Sequence, residues 1–273
     1  MTRIVVTGAS GFIGSAVVRR LRAEGHEAVA FQGDLLAADP PDLSSAQATH
    51  CIHAAWHTNH ADYLTHEINR AWTAASLRLA DAFSSAGGTR FVGLGTCLEY
   101  DVANADGACS EDRTPLRPET LYAQCKLDLF DALKLRGGDF AWARIFFVYG
   151  PGDRQGRLIP RMIEQLSRGE MAGPTYGGLR RDYIHVDDLA GQLVRIALSD
   201  VSGAVNTGTG QAPTLSEIFA AGANAVGRPE LAIPNEETGG QPPLIQADMA
   251  RFRRQVGDLE ARDFAAGIRD LVT

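Results

Sequence analysis

At 273 residues, with 45% hydrophobic and 22% charged side chains, the chain can bury a full core as one large α/β unit or as a domain with a smaller lobe. Its formal net charge of −7 excludes nucleic acid and anionic membrane as main partners, because both demand a cationic face; any anion site must be local. No apolar run reaches the roughly 20 residues of a membrane-spanning helix, and no signal peptide is expected, because a strand leads straight into a glycine turn. Cys51, Cys97, Cys109 and Cys125 show no CxxC spacing and read as the reduced thiols of a cytoplasmic protein.

Residues 3–6 read as the first strand. A helix over 12–24 follows, apolar at Ile13, Val17, Val18 and Leu21 and ended by Gly25, then a second strand over 27–31. Residues 50–54, 90–94 and 143–148 read as later buried strands, with helices over 66–84 and 122–135 between them. Beyond Tyr149-Gly150-Pro151-Gly152 come a helix over 158–168, a Gly/Pro-rich stretch over 169–178, the segment 181–188, a helix, a short strand near 204–206 and a mostly helical C-terminus. This alternation predicts an α/β fold: a Rossmann-type doubly wound parallel sheet with a smaller C-terminal substrate-binding lobe. The dinucleotide-binding domain is expected over 1–150. The lobe is expected mainly over 151–273, with the chain free to return to the first domain.

The turn Thr7-Gly8-Ala9-Ser10-Gly11-Phe12-Ile13-Gly14 follows a strand and opens a helix, the context a dinucleotide site requires. Gly8, Gly11 and Gly14 permit a tight turn, close backbone approach to a pyrophosphate and close helix–strand packing. Ser10, Phe12 and Ile13 complete the cradle. At the tip of the second strand, Gln32 stands where a carboxylate would hold the ribose 2′-hydroxyl of NAD. The cofactor is therefore NAD or NADP, with the balance toward NADPH although no arginine is placed to attract a 2′-phosphate. Asp34 and Leu35 are assigned to the adenine side, in a region too short for the usual helix and third strand before His50.

Tyr122 and Lys126 stand four residues apart in Tyr-Ala-Gln-Cys-Lys and share one helix face. A free tyrosine titrates near ~10, and a neighbouring ammonium and a positive nicotinamide both favour its phenolate, which brings the phenol toward working range for proton exchange. Thr96 follows the apolar strand and is placed to hold the substrate oxygen. Together with the glycine turn, this constellation predicts a nicotinamide-dependent oxidoreductase.

These motifs make the chain similar to the extended short-chain dehydrogenase/reductase family, in its nucleoside-diphosphate-sugar epimerase, dehydratase and reductase branch. The resemblance runs over nearly the whole chain: the glycine turn, His53-Ala54-Ala55, Asn69, Thr96, Pro115 to Pro118, Tyr122 with Lys126, residues 144–151 and 181–188, and Asn206 to Gly210. It implies a catalytic set of Thr96, Tyr122 and Lys126. It also implies cofactor contacts at Ala54, Ala55, Trp56, Tyr122, Lys126 and Phe146. Substrate contacts are implied at Thr96, Cys97, Phe147, Arg157, Leu158 and Arg181, the last facing a substrate pyrophosphate. A homodimer is implied as well.

The departures narrow the chemistry. The family's 4,6-dehydratases carry Asp-Glu after the threonine, decarboxylating members a glutamate at the second of these positions, and GDP-fucose-synthase-like members a cysteine there and a histidine after Tyr-Gly-Pro. This chain has Cys97, Leu98 and Gly152. Cys97 lies one residue off and points the other way if the strand persists. The 4-epimerases carry Asn at Phe147 and a second arginine near Thr238-Gly239, both missing here. Reduction of an NDP-4-keto-(6-deoxy)hexose at C4 is therefore the leading expectation. Behind it stand an NDP-sugar 4-epimerase, a reductase of a non-nucleotide ketone, and a dinucleotide-sensing regulator. His50, His53, His57, His60 and His66 lack a ligand spacing for metal, so His57 or His60 is assigned to the sugar pocket. Asp187 and Asp188 are assigned to the fold.

Overall fold

The computed structural model describes residues 1–39 and 41–272. Its first half runs β1 (Arg3–Thr7), α1 (Phe12–Ala23), β2 (Glu27–Ala30), β3 (His50–His53), α2 (Ile68–Ser85), β4 (Arg90–Thr96), α3 (Leu121–Arg136) and β5 (Asp139–Ile145). The second half continues through β6 (Phe147–Tyr149), α4 (Leu158–Ser167), β7 (Arg180–Arg181), β8 (Tyr183–His185), α5 (Val186–Leu198) and β9 (Gly203–Thr207). It closes with α6 (Leu215–Ala225), β10 (Leu244–Ile245), α7 (Ala250–Gln255) and α8 (Phe264–Arg269).

Six parallel strands form the main sheet in the order β2-β1-β3-β4-β5-β9. The order reverses at β1, and the crevice beyond the carboxyl ends of β1 and β3 is where such sheets bind ligands. Between β2 and β3 the described residues form one 3-10 turn, at Ser44–Ala46, and no strand among them pairs outside β2, which is the edge. One apolar core, with Ile4, Val17, Leu21, Leu189 and Val194, fills the face under α1 and α5. A second, with Leu79, Phe83, Leu129 and Trp142, fills the face under α2 and α3. A third unites Tyr149, Met162, Leu166 and Phe219 in the lobe of α4, α6 and α8.

Segment 186–207 belongs to the sheet and not to the lobe: β9 pairs with β5, and α5 packs against α1. The strand expected over 143–148 is two strands in two sheets. β5 starts earlier, at Asp139, and ends at Ile145; Phe146 N bonds to Thr207 O at 3.1 Å, and Phe147 N then turns to Asp182 O at 3.0 Å. The chain thus changes partner from β9 to the β8 segment, a break hidden inside a continuous apolar run. The helix expected from residue 66 starts at Ile68, because the His66 ring accepts the Ile68 N–H.

Asp187 and Asp188 tie elements together. Asp187 meets Arg19 at 2.9 Å on α1, and both oxygens of Asp188 are taken by Arg262, which anchors the C-terminal segment to α5. Beneath the end of β4, the Arg144 guanidinium meets the Glu99 carboxylate at 2.7 Å, with side chains 1% and 0% exposed. The same carboxylate accepts the Trp142 indole N–H at 3.0 Å and the Thr96 backbone N–H at 2.9 Å.

Candidate active site

The glycine turn is built by contact as much as by φ. Gly8 sits at φ +63°, and the Gly11 N–H closes the turn onto the Gly8 carbonyl at 2.8 Å. A Cβ at Gly14 would stand 2.0 Å from that same carbonyl oxygen, and one at Gly8 would stand 2.8 Å from Ala55 N. Beneath the turn, the Thr7 hydroxyl accepts Ala55 N–H at 3.2 Å and pairs with the His53 ring at 2.7 Å, which in turn meets Ser76 at 2.7 Å. Burial pushes His53 down to about 3, so this link is neutral. Gly11 precedes α1 without a side-chain cap, and the first turn holds no acidic residue, so the leading amides of the helix are left for an anion. These features fit a dinucleotide pyrophosphate.

From the turn a cavity of about 390 Å³ runs past Ala54, Ala55 and Trp56 to Thr96, Tyr122 and Lys126, and on to Phe146, Phe147 and Arg157. Thr96 ends β4, and its hydroxyl accepts the Leu98 N–H at 3.3 Å to cap a 3-10 turn over Cys97–Glu99. Lys126 Nζ donates to Leu94 O at 2.8 Å and lies 3.6 Å from the centre of the Trp56 ring and 5.8 Å from that of Tyr122. Burial lowers Lys126 to about 7, against the pull of Glu99. Burial also raises Tyr122, helped by Tyr63, Glu99 and Cys97 and opposed by a hydrogen bond with Thr96. This corrects the expectation that the ammonium draws Tyr122 toward phenolate. Desolvation acts on both groups and favours both neutral forms, so Tyr122 is a proton-bearing phenol near neutral pH.

Other expected residues divide. Cys97 lines the cavity: β4 stops at Thr96, so strand alternation does not reach it. Its thiol is buried and raised by desolvation. Phe147 lines the cavity and stacks on Tyr183 with ring centres 5.2 Å apart. Arg157 lines it too, paired with Asp153 at 3.1 Å, whereas Leu158 begins α4 and packs into the lobe. Arg181 is outside the lining. Its Nη1 donates to Arg180 O at 2.8 Å and Pro242 O at 3.1 Å, and its charge acts on Cys97, which does line the cavity.

On the adenosine side, Gln32 and Asp34 are exposed and do not border the cavity; Asp34 accepts the Leu36 N–H at 2.9 Å. Leu35 is 6% exposed within the core. His60 lines the cavity, but His57 does not; it pairs with Asp62 at 2.9 Å. Sequence reasoning missed Tyr63, Thr58, Trp72, Asp153 and Arg154. Arg154 Nη1 reaches across to Thr58 O at 2.7 Å. The aromatic density of the loop from Trp56 to Tyr63 was the available signal.

A cavity joining a dinucleotide cradle to a Thr-Tyr-Lys set defines the class. The NAD dependent epimerase/dehydratase family matches residues 4–208, and the chain belongs to that family and is an NAD-dependent enzyme. The chain is 29% identical over 306 aligned positions to a dTDP-glucose 4,6-dehydratase of Streptomyces griseus, covering 98% of this chain and 92% of that one. It is 28% identical to MoeE5, solved in complex with UDP-glucose and NAD, with a TM-score of 0.76 over 97% of this chain and 95% of that one. The fold is also that of a UDP-N-acetylglucosamine 4-epimerase from Methanobrevibacter ruminantium, at 22% identity and a TM-score of 0.86, covering 99% and 97% of the two chains. Among the described residues no helix is long and apolar enough to cross a membrane.

Proposed function

We propose that the protein reduces a nucleoside-diphosphate 4-keto-(6-deoxy)hexose at C4. One observation carries this reading: Thr96, Tyr122 and Lys126 stand together on the cavity, while Cys97 and Leu98 occupy the positions where the family's dehydratases carry their acid and base. A dehydratase relative is similar overall, but the residues that remove water are not present at those positions.

The reduced cofactor, NADH or NADPH, would supply the hydride when bound and would leave as NAD or NADP. Gly8, Gly11 and Gly14 would hold its pyrophosphate, and Ala55, Trp56 and Lys126 its nicotinamide half. Tyr122, held as a phenol by burial, donates its proton to the oxygen of the carbon being reduced. The Thr96 hydroxyl, fixed at the end of β4 by Glu99, orients that oxygen. Arg157 on the cavity would be offered to a substrate diphosphate, with the unspent part of the Arg181 guanidinium outside the lining. The homodimer and cytoplasmic location belong to the same proposal.

The test is a thermal-shift screen of the purified protein with NAD, NADP and UDP-, GDP-, CDP- and dTDP-sugars, followed by turnover of the matching 4-keto sugar. A binder at 100 times its Kd raises stability by about 2.7 kcal/mol. Stoichiometric oxidation of the reduced cofactor supports the reductase. A C4 epimer formed without net cofactor consumption makes the protein a 4-epimerase, and loss of water a dehydratase. Turnover restricted to simple ketones overturns the nucleotide-sugar assignment.

A further inference from the structure

We propose that Tyr63 is a second substrate-binding phenol, which donates its hydroxyl to the oxygen on the carbon adjacent to the one exchanging hydride and so selects substrates bearing a vicinal hydroxyl. The proposal rests on the C4 hydride-exchange reading above.

Tyr63 lies in the segment between β3 and α2, and it lines the same cavity as Thr96 and Tyr122. Its ring meets that of Tyr122 edge to face, with centres 5.3 Å apart and planes at 74°. One wall therefore carries two phenols with their rings in contact, so a ligand oxygen held by Tyr122 would bring its neighbour toward Tyr63. The Tyr63 hydroxyl has no hydrogen-bond partner among the described residues, although its main chain is fully engaged. Its N–H donates to Asn59 O at 2.8 Å, and its carbonyl accepts from Asn69 Nδ2 at 2.8 Å. An aromatic hydroxyl placed at a cavity with its own donor unused is available for a ligand.

The segment is held rigidly against the reactive groups. Tyr122 N–H donates to Leu64 O at 3.0 Å, which ties the first turn of α3 to the residue after Tyr63. Asn69 takes the Trp56 indole N–H on its Oδ1 at 2.8 Å, and the Trp56 face covers the Lys126 amino group. Tyr63 is thus positioned by the same frame that positions Tyr122 and Lys126, as a specificity residue requires. Burial raises the Tyr63 hydroxyl, while Arg157 draws it down and Cys97 raises it further. It keeps its proton near neutral pH and acts as a donor. With Leu98 apolar and the Cys97 thiol buried, Tyr63 is the phenol available beside Tyr122.

The experiment measures binding of UDP-glucose and dTDP-glucose, and of their 3-deoxy analogues, to the NAD-saturated wild type and to Tyr63→Phe by calorimetry. The 3-hydroxyl is the vicinal oxygen when C4 reacts. The wild type should prefer the parent sugar about tenfold, and Tyr63→Phe should lose that preference while NAD affinity and Tm stay unchanged. A general structural effect would weaken parent and analogue equally, leaving the preference intact, and would overturn the proposal. A wild type indifferent to the 3-hydroxyl overturns it too, with the nucleotide-sugar reading untouched. A wild type that binds neither of these nor any GDP- or CDP-sugar of the screen overturns both.

Discussion

Glu99 and Arg144 form an ion pair sealed from solvent directly beneath Thr96: Arg144 Nε lies 2.7 Å from Glu99 Oε2, and the neighbouring Oε1 accepts Thr96 N–H at 2.9 Å. Removing one partner of a buried pair strands the other charge, at a cost of about 3–5 kcal/mol. Glu99→Gln should lower the unfolding free energy by that order in urea titrations. It should also reduce turnover in the folded fraction, because one amide oxygen must then serve both the Thr96 N–H and Arg144. A variant as stable as the wild type would show that Arg144 finds another acceptor.

Tyr122→Phe should keep NAD affinity and remove turnover by about two to four orders of magnitude, the usual cost of losing a general acid. Binding by calorimetry and turnover by cofactor oxidation separate the two effects. Undiminished turnover would take the phenol out of the mechanism.

The glycines of the turn should fail in different ways. At Gly14 even one methyl group would stand 2.0 Å from the Gly8 carbonyl, so Gly14→Ala should disrupt the turn itself and lower Tm. At Gly11 the same methyl group would lie 3.1 Å from that oxygen, a contact the backbone can absorb. Gly11→Ala should therefore fold while binding NAD more weakly. Equal NAD affinity in folded Gly11→Ala would assign that glycine to the turn alone.

Lys126 carries a pH signature of opposite sign to the usual surface lysine. Unfolded, its amine keeps a proton up to its ordinary value of 10.5; folded, it gives that proton up above about 7. The unfolded state binds more protons between those values, so wild-type stability rises with pH across that window relative to Lys126→Met. At one unit per 1.36 kcal/mol, the advantage of the methionine variant should shrink by on the order of 2–3 kcal/mol between about pH 7 and pH 9. Parallel stability curves would mean that Lys126 does not titrate there.

Arg181→Ala should weaken a nucleoside-diphosphate sugar by on the order of 1.5–3 kcal/mol, as for one charged hydrogen-bonding group, with NAD affinity unchanged. Its Nη1 is spent on backbone carbonyls near Pro242, so the predicted ligand contact falls to the rest of the guanidinium. Equal sugar-nucleotide binding would leave Arg181 as a brace between β7 and β10.

What was legible in the sequence was what short-range geometry controls. Glycines at 8, 11 and 14 constrain a single turn, and Tyr122 and Lys126 meet because four residues make about one helical turn. Tyr63 was invisible because its place depends on Leu64 meeting the start of α3, a contact between segments nearly sixty positions apart in the chain. The end of β4 at Thr96 is likewise set by the distant Arg144 through Glu99, and the break at Phe146 by a change of partner from Thr207 to Asp182. The protonation of Lys126 and Tyr122 followed burial, which spacing along one helix does not encode.

The return of the chain into its own sheet has a consequence for cooperativity. A fragment ending at residue 150 would lack β9, leaving β5 an open edge, and would lack α5, leaving the apolar face of α1 bare. Neither wall of the cleft is then a free-standing module. Heat should melt both in a single transition, and a molecule gripped by one wall should be felt as added resistance in the other.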